Sequence, residues 1–240
     1  MAPRMTTTTT TISKNTTSAN ISDGAPKVTN TDGNVIYYEK TVGERHSFLV
    51  TIRGSDGGGT LMNRDLRECE LTGASQKQTK EDPMSREWRV WRDKIYWSDQ
   101  FGVHWPGENI ATCLEAAAVY WKAKVPGAGS ATFTQLVHAG ITCEPVILGI
   151  MDKESPLIVP FAKMVNANPS KGKKSGAKVF KIRPLIQPWG GSFRMHVLDP
   201  RLTQDVLATI ISYAGVYVGL ADWRPQMGRF DLVSMEQINL

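Results

Sequence analysis

Alternating apolar and polar residues predict β-strands in the first part of the chain. The segments "VIYYEK" and "HSFLVTIRG" alternate in this way and are rich in β-branched and aromatic residues, which favour strands. The second segment predicts a strand over residues 46–53. The glycine-rich "SDGGG" that follows ends this strand in a loop.

Apolar residues spaced three and four positions apart predict two helices. The apolar face of the first, which follows the break at Pro106-Gly107, consists of Ile110, Cys113, Leu114, Ala117 and Trp121. The apolar face of the second consists of Val206, Leu207, Ile210 and Ile211. Thr203 is the predicted cap of the second helix and Gly215 its predicted end.

Strand patterns return in the second half of the chain. "CEPVILGIM" predicts a short strand, and "RFDLV" predicts the last one. "AKVFKIRPLIQPW" and "SFRMHVLD" predict the two arms of a hairpin that turns at Gly190 and Gly191. Residues 88–97 alternate rings with charges and fit either a helix or a hairpin.

The order strand, helix, strand, strand, helix, strand is the βαββαβ order of ferredoxin-like domains and RNA-recognition modules (RRM). We therefore predict an α+β fold with one elaborated, RRM-like ferredoxin domain over residues 34–240. Insertions at about residues 54–105 and 125–176 would decorate it. Residues 1–33 are rich in Thr, Ser and Asn and poor in large apolar side chains, which predicts a disordered N-terminal arm.

The composition is that of an ordinary globular protein of 240 residues, with 41% hydrophobic and 21% charged residues. No apolar run is long enough to span a membrane, and the N-terminus lacks the apolar segment of a secretory signal. A cytoplasmic location is therefore predicted. The three cysteines are far apart and odd in number, which predicts reduced thiols and neither a disulfide framework nor a zinc site.

Positive charge is concentrated in one segment. The whole chain has a net charge of +5, but residues 163–183 contain six lysines, one arginine and no acidic residue. The rest of the chain is therefore close to neutral. Such a local cluster is typical of an anion-binding segment, although a solvated lysine-rich loop has the same composition.

Catalytic motifs are missing from the sequence. It contains no GxSxG, HExxH or P-loop pattern, and its four histidines are dispersed. His46 and His196 fall on predicted strands, where structural roles are the more common ones. We therefore predict a protein that is not an enzyme, with no catalytic residue, metal or cofactor.

Aromatic and basic residues are interleaved at two places. Trp88 and Trp91 lie among arginines and lysines, and Trp189 and Phe193 flank the predicted glycine turn beside Arg194. Aromatic faces stack on unpaired bases while cations neutralise phosphates, a combination typical of single-strand binding. The alternative is that these rings are core residues and the cations a solvated face.

The C-terminal stretch "GLADWRPQMGRFDLV" predicts a turn into the last strand. Gly219 and Gly228 permit positive φ or a close approach of the backbone to a partner. Arg224 and Arg229 can reach a phosphate, and equally Asp222 can hold Arg224 in a structural pair. The residues leave both interpretations open.

Four segments resemble, in the same order, a group of bacteriophage proteins. They are "TLMNRD", "VHWPGENIATCLEAAA", "KVFKIRPLIQPW" and "AGVYVGLADWRPQMGRFDLV", and the resemblance covers residues 60–233. It implies a phage-encoded protein in the host cytoplasm.

A strand followed by Pro-Gly and a helix, with a glycine-containing turn before the final strand, is similar to the repeat-associated (RAMP) proteins of CRISPR complexes. That resemblance implies ferredoxin-like domains that hold RNA, with subunits lined up along the strand. The matching positions are Pro106, Gly107, Glu108 and Asn109 at the helix start, and Gly219, Arg224, Gly228 and Arg229 in the turn. The turn has fewer glycines than the RAMP loop, and the histidines of the RNA-cleaving members are missing. The resemblance therefore implies binding and not cleavage.

The favoured hypothesis is a phage-type protein that binds single-stranded DNA or RNA without strong sequence preference, as a homo-oligomer along the strand and without contacting membranes. The predicted nucleic-acid-binding residues are Lys171, Lys173, Lys174, Lys178, Lys181, Arg183, Trp189, Phe193, Arg194, Arg224 and Arg229. One alternative is a structural, self-assembling interaction protein laced together by its N-terminal arm. A second alternative is a metal-dependent nuclease on the same fold.

Overall fold

The computed structural model describes residues 27–29, 35–37, 46–66, 81–166 and 178–239. The chain divides into two compact units, Met1–Thr41 and Val42–Leu240. In the first unit, β1 (Lys27–Thr29) pairs antiparallel with β2 (Val35–Tyr37). The predicted disordered arm, residues 1–33, falls on this unit, and its residues 1–26 and 30–33 lie outside the described residues.

The second unit contains a seven-stranded sheet and a three-stranded sheet. The strands of the seven-stranded sheet are β3 (His46–Gly54), β5 (Trp97–Ser98), β6 (Gly102–Trp105), β7 (Ile141–Cys143), β8 (Val146–Ile147), β11 (Gly190–Val197) and β12 (Phe230–Ile238). The three-stranded sheet contains β4 (Thr60–Leu61), β9 (Ile158–Asn166) and β10 (Lys178–Ile186). The large sheet runs in the order β12-β3-β11-β8-β6-β5, and β7 also pairs with β11.

Four helices are described in the second unit; the first packs on β10 of the three-stranded sheet, and the other three cover one face of the large sheet. They are α1 (Pro83–Val90), α2 (Gly107–Trp121), α3 (Phe133–Gly140) and α4 (Gln204–Tyr213), which continues into a π-helical turn (Ala214–Val218). Alternate residues of β3 and β11, among them Val50, Ile52 and Met195, are buried against Leu114 and Ile210 of the helices. Burial of this apolar face supplies the main stabilising free energy. No helix in the described part of the chain has the length and apolar character needed to cross a membrane.

The fold is α+β and ferredoxin-like, as the sequence predicts. The strands β3, β7–β8, β11 and β12 and the helices α2 and α4 follow one another in βαββαβ order. In space the fourth strand lies beside the first, and the first beside the third, with antiparallel pairing throughout. β5 and β6 extend the sheet beyond β8, and the three-stranded sheet is a further elaboration.

The predicted hairpin around Gly190 and Gly191 is wrong. β10 does not pair with β11; it pairs with β9 along nine residues and with β4 at its end. The two glycines lie within β11, and a Cβ on Gly191 would be 2.5 Å from the carbonyl oxygen of Ile147 in the neighbouring strand. Gly191 therefore permits a close approach of two strands and does not form a turn.

Two local questions are also answered by the structure. Residues 88–97 are mostly helical: α1 is capped by Asp82, which accepts hydrogen bonds from the amides of Met84 and Ser85, and a 3₁₀ turn follows at Trp91–Lys94. Gly215 does not end the second predicted helix, α4. The chain stays helical through the π-helical turn, and the helix ends at Gly219, whose φ is 79°. A Cβ on Gly215 would be 1.8 Å from the Phe230 carbonyl oxygen, so this glycine lets the helix touch β12.

Candidate nucleic-acid interface

The three-stranded sheet has one covered and one open face. In β10, Ile182 and Ile186 point into the core and are fully buried. Strand alternation places the neighbouring residues on the other face, where Lys181 is paired with Lys163 across the strands and Arg183 with Phe161. The alternation that buries the isoleucines therefore also brings the basic residues of β9 and β10 together on an accessible face.

The glycine turn before β12 is fastened to the edge of this sheet. The amide of Asp222 donates to the Leu61 carbonyl at 2.9 Å, and the amide of Gly228 donates to the Gly59 carbonyl at 2.9 Å. The buried Cys113 thiol of α2 donates to the Gly219 carbonyl at 3.3 Å. Burial raises the pKa of Cys113 to about 12, although Arg224 acts in the opposite direction, so the thiol keeps its proton as a donor. The turn therefore has a defined position.

Gly228 is required by the shape of this turn. Its φ is 77°, and an added Cβ would lie 2.5 Å from the carbonyl group of Leu220. We expect Gly228→Ala to lower the free energy of unfolding by more than the cost of about 1–2 kcal/mol for left-handed backbone alone. Gly127→Ala is the matched control, because Gly127 has φ of 73° and open space around its Cβ position. Urea denaturation of both variants measures the difference, and equal losses would contradict the close contact in the turn.

Trp223 is the aromatic residue that the turn presents to solvent. Its side chain is 36% exposed, and its ring lies 6.1 Å from the ring of Phe161 on β9. The Lys163 ammonium lies 3.1 Å from the centroid of the Trp223 ring, a cation–π contact. The turn and the open face of the sheet thus place an accessible aromatic ring and a cation at the same point.

The two arginines at this place have different environments. Arg183 forms an ion pair with Asp222, and both side chains are partly buried. Arg224 is exposed and forms no hydrogen bond or ion pair with any residue in the described ranges. Since Asp222 is held by Arg183, the alternative that Asp222 and Arg224 form a structural pair is wrong. Arg224 is available to an anion.

A buried ion pair supports the sheet from the side of α1. Lys94 donates to Glu87 at 2.5 Å and to the Ile182 carbonyl at 2.7 Å, and both side chains are almost completely buried. Glu87 also accepts hydrogen bonds from Lys181 at 2.8 Å and from the Ile182 amide at 2.9 Å. Burial by itself would raise the pKa of Glu87, but the bonds from Lys181, Lys94 and Ile182 outweigh it and lower the pKa. On the side of β10 that has no neighbouring strand at this point, these side chains provide hydrogen-bond partners for the amide and the carbonyl of Ile182.

Three adjoining clefts surround these side chains and share residues. A cleft of about 550 Å³ contains Lys163 and Trp223, one of about 380 Å³ contains Lys181, and Arg183 belongs to both. A third, of about 230 Å³, contains Arg224 and shares Asp222 with the first. The residues Phe161, Lys163, Lys181, Arg183, Trp223 and Arg224 therefore form one surface, which we call the turn-facing surface.

The turn-facing surface contains only some of the predicted residues. Lys181, Arg183 and Arg224 belong to it, and Lys178 is exposed at the start of β10. Arg194 lies on the uncovered face of the large sheet, 3.8 Å from Glu144, and Arg229 donates to the Pro225 carbonyl. The predicted residues Lys171, Lys173 and Lys174 lie outside the described residues.

Trp189 and Phe193 do not have the predicted stacking role. Their side chains are 5% and 2% exposed and belong to the core, so a base has no access to their faces. Trp91 is buried as well, so Trp88, on α1, is the one exposed residue among the four aromatic residues for which the sequence suggested stacking. The prediction missed Trp223 and Phe161, because an isolated aromatic residue in a sequence does not show whether it is covered in the fold.

The histidines and acidic residues show no metal-binding arrangement within the described ranges, where no group of three or more His, Cys, Asp or Glu side chains could hold an ion. His196 lies on β11, with Nδ1 2.9 Å from the Ser47 hydroxyl and Nε2 3.4 Å from Glu144. These contacts fix the position of its ring on the large sheet. They give His196 a structural role in the pairing of β3 and β11.

Comparison with known proteins finds only remote similarity. No protein-family model matches the sequence, and no curated protein matches it. Among solved structures, the chain is similar to one from the Type III-B Cmr-beta complex bound to cognate target RNA, with 13% identity and a TM-score of 0.41 over 81% of this chain and 61% of that one. It is also similar to Cmr6 from Pyrococcus furiosus, with 11% identity and a TM-score of 0.40 over 79% of this chain and 98% of that one. Neither similarity bears on the bacteriophage resemblance, which stays a prediction.

Proposed function

We propose that this protein binds single-stranded DNA or RNA at the turn-facing surface, without strong sequence preference and without cleaving it. The observation that carries the proposal is the position of Trp223, 36% exposed beside Lys163 and next to Arg224, which has no ion-pair partner among the described residues. An aromatic face takes an unpaired base of any identity, and neighbouring cations neutralise its phosphates.

The arrangement favours a single strand over a duplex. In a duplex the faces of the bases are covered by their neighbours, so a protein ring stacks only on bases that are unpaired or splayed out. The Lys163 side chain is long and flexible, and it lies over the ring that a base would contact. In this proposal a base displaces the ammonium from Trp223, and Lys163 then turns to the adjoining phosphate.

The remaining cations extend the surface along one direction. β9 and β10 pair up to Asn166 and Lys178, and the chain between these two residues contains the predicted Lys171, Lys173 and Lys174. A strand that lies on Trp223 and follows β10 would therefore pass Lys181 on the way to this segment, whereas Lys178 has the strand parity of Ile182 and lies on the opposite face at the exposed start of β10. The RAMP resemblance implies that several copies line up along one strand, and the stoichiometry on longer oligonucleotides tests this part of the proposal.

Fluorescence anisotropy of labelled single-stranded DNA and RNA, at low and moderate salt, tests the proposal. We expect the logarithm of affinity to fall steeply with the logarithm of salt concentration, with a slope of about −0.7 for each phosphate neutralised. The variant Lys163→Gln is expected to bind more weakly and to reduce this slope by about 0.7.

Lys124→Gln is the charge-matched control. Lys124 is exposed just beyond the C-terminal end of α2, about 20 Å along the helix from the end that faces the glycine turn. Its replacement is expected to leave affinity and slope unchanged. No binding to either strand at low salt, or equal losses in Lys163→Gln and the control, would contradict the proposal. Assembly of the protein without nucleic acid, lost on removal of residues 1–33, would favour the self-assembling alternative.

A further inference from the structure

The smallest of the three clefts has properties that the binding of a single strand to Trp223 does not explain. It has a volume of about 230 Å³ and lies between the N-terminal end of α2 and the glycine turn. The polar side chains in its wall are those of Asn63, Tyr96, Trp105, Asn109, Thr112, Asp222 and Arg224. Most of these groups are hydrogen-bond donors, and the single carboxylate is already paired with Arg183.

Trp105 contributes a buried donor without a partner. Its side chain is 3% exposed, and its indole Nε1 has no hydrogen-bond partner among the described residues. A buried polar group without a partner costs about 1–3 kcal/mol, so such groups are rare in folded proteins and usually have a functional reason. Here the tryptophan belongs to the wall of the cleft while its Nε1 is covered, so a small shift of the wall would give this donor to an acceptor bound there.

The start of α2 adds further donors. α2 begins at Gly107, and its N-cap residue Pro106 makes no side-chain capping bond. The Asn109 amide donates to the Pro106 carbonyl at 3.0 Å, and the amides of Gly107 and Glu108 keep the partial positive charge of a helix N-terminus, which favours anions. Asn109 and Thr112 lie one turn apart on the side that faces the cleft. Glu108, the acidic residue of the first turn, is exposed and is not part of the wall.

Arg224 closes the cleft from the side of the glycine turn. It has no hydrogen bond or ion pair with the described residues, and its charge acts on the thiol of Cys113 in α2. Its guanidinium group is therefore near the helix and free to bind an anion. Guanidinium groups bind phosphate through two parallel hydrogen bonds, which gives both affinity and orientation.

From this combination we infer that the cleft is a phosphate-binding subsite, in which Arg224, Trp105, Thr112 and the start of α2 hold one phosphate group. The inference rests on the proposed function for the origin of that phosphate. It is either an internal phosphodiester of the bound strand or the terminal phosphate of a strand or nucleotide. Both have the same acceptor oxygens, and binding experiments distinguish them.

The experiment uses the full chain with four probes: a 5′-phosphorylated oligonucleotide, the same oligonucleotide with a 5′-hydroxyl, AMP and inorganic phosphate. Anisotropy measures the oligonucleotides and calorimetry measures the small anions. Arg224→Gln removes the guanidinium and Thr112→Val removes the hydroxyl at nearly constant volume. Both residues are exposed, so the variants are expected to fold, and Lys124→Gln is again the control.

We expect Arg224→Gln to weaken the preferred phosphate probe about tenfold or more, which is the effect of losing one charge-assisted contact. Thr112→Val should cause a smaller loss and the control none. Equal weakening of both oligonucleotides indicates an internal phosphodiester, and a preference for the 5′-phosphate that Arg224→Gln abolishes indicates a terminal one. Both results support the subsite.

Two further outcomes separate this inference from the proposed function. If the wild-type protein binds both oligonucleotides and neither variant changes the affinity for any probe, the subsite is overturned and the proposed function stands. If AMP or inorganic phosphate binds in an Arg224-dependent way while neither oligonucleotide binds, the subsite stands and single-strand binding fails. If none of the four probes binds at low salt, both are overturned.

Discussion

Replacement of Lys94 by methionine is expected to lower the free energy of unfolding by about 3–5 kcal/mol, the usual cost of removing one partner of a buried ion pair. Lys94 is 3% exposed and Glu87 is 4% exposed. Without the ammonium, Glu87 keeps its bonds to Lys181 and the Ile182 amide, but the Ile182 carbonyl loses the hydrogen bond that it accepts from the Lys94 side chain. The buried carboxylate then has one cation beside it and not two, and the buried Ile182 carbonyl loses a donor, which accounts for the expected loss.

Urea denaturation of Lys94→Met, Glu87→Gln and the double variant measures this effect. The double variant is expected to recover part of the loss, because it removes the buried charge that the single variant leaves behind. Lys124→Met, at an exposed lysine, is the control and should change stability by less than about 0.5 kcal/mol. A loss below about 1 kcal/mol for Lys94→Met, the value typical of a surface pair, would contradict the buried pair.

The same pair has a pH signature. Because the pKa of Glu87 is lowered in the folded state, its carboxylate stabilises the fold above its ordinary pKa, and this contribution is lost as pH falls through the lowered value. The wild-type protein should therefore lose more stability than Glu87→Gln on acidification below about pH 4. Parallel stability curves for the two proteins would show that Glu87 is not held by these bonds.

The second large effect concerns nucleic-acid binding. Trp223→Ala is expected to cost about 1–3 kcal/mol of binding free energy, a loss of about 5- to 150-fold in affinity, because the accessible ring of the turn-facing surface is removed. Trp223→Phe should recover most of the affinity, since it restores an aromatic face at the same place. Anisotropy with oligonucleotides of differing sequence should show the same loss for each of them.

Trp88→Ala is the matched control for this variant. Trp88 is 49% exposed on α1, more than Trp223, and it is not part of the turn-facing surface. Its loss should leave affinity unchanged, so exposure of a tryptophan alone does not account for the effect. Equal affinity of Trp223→Ala and the wild-type protein would remove the observation on which the proposed function rests.

The sequence predicted the elements of the fold better than their partners. The spacing of apolar residues in α2 and α4 and the alternation in β3 and β12 follow from the period of each element, which is a local property. The pairing of β10 was predicted wrongly because every strand presents the same backbone donors and acceptors along its edges. Gly190 and Gly191 resemble a turn in sequence, and only the position of Ile147 shows that they belong within a strand.

For the candidate site, the sequence by itself determined that positive charge is concentrated in residues 163–183 and that two arginines lie in a glycine-containing turn. Only the tertiary structure decided which of these groups meet. It buried Trp189 and Phe193, left Trp223 accessible beside Lys163, and paired Asp222 with Arg183 so that Arg224 stays unpaired within the described residues. The physical reason is that charge and local turn chemistry belong to the residues themselves. The exposure of a side chain and the identity of its ion-pair partner depend on contacts between segments far apart in the chain, such as β9 and the glycine turn.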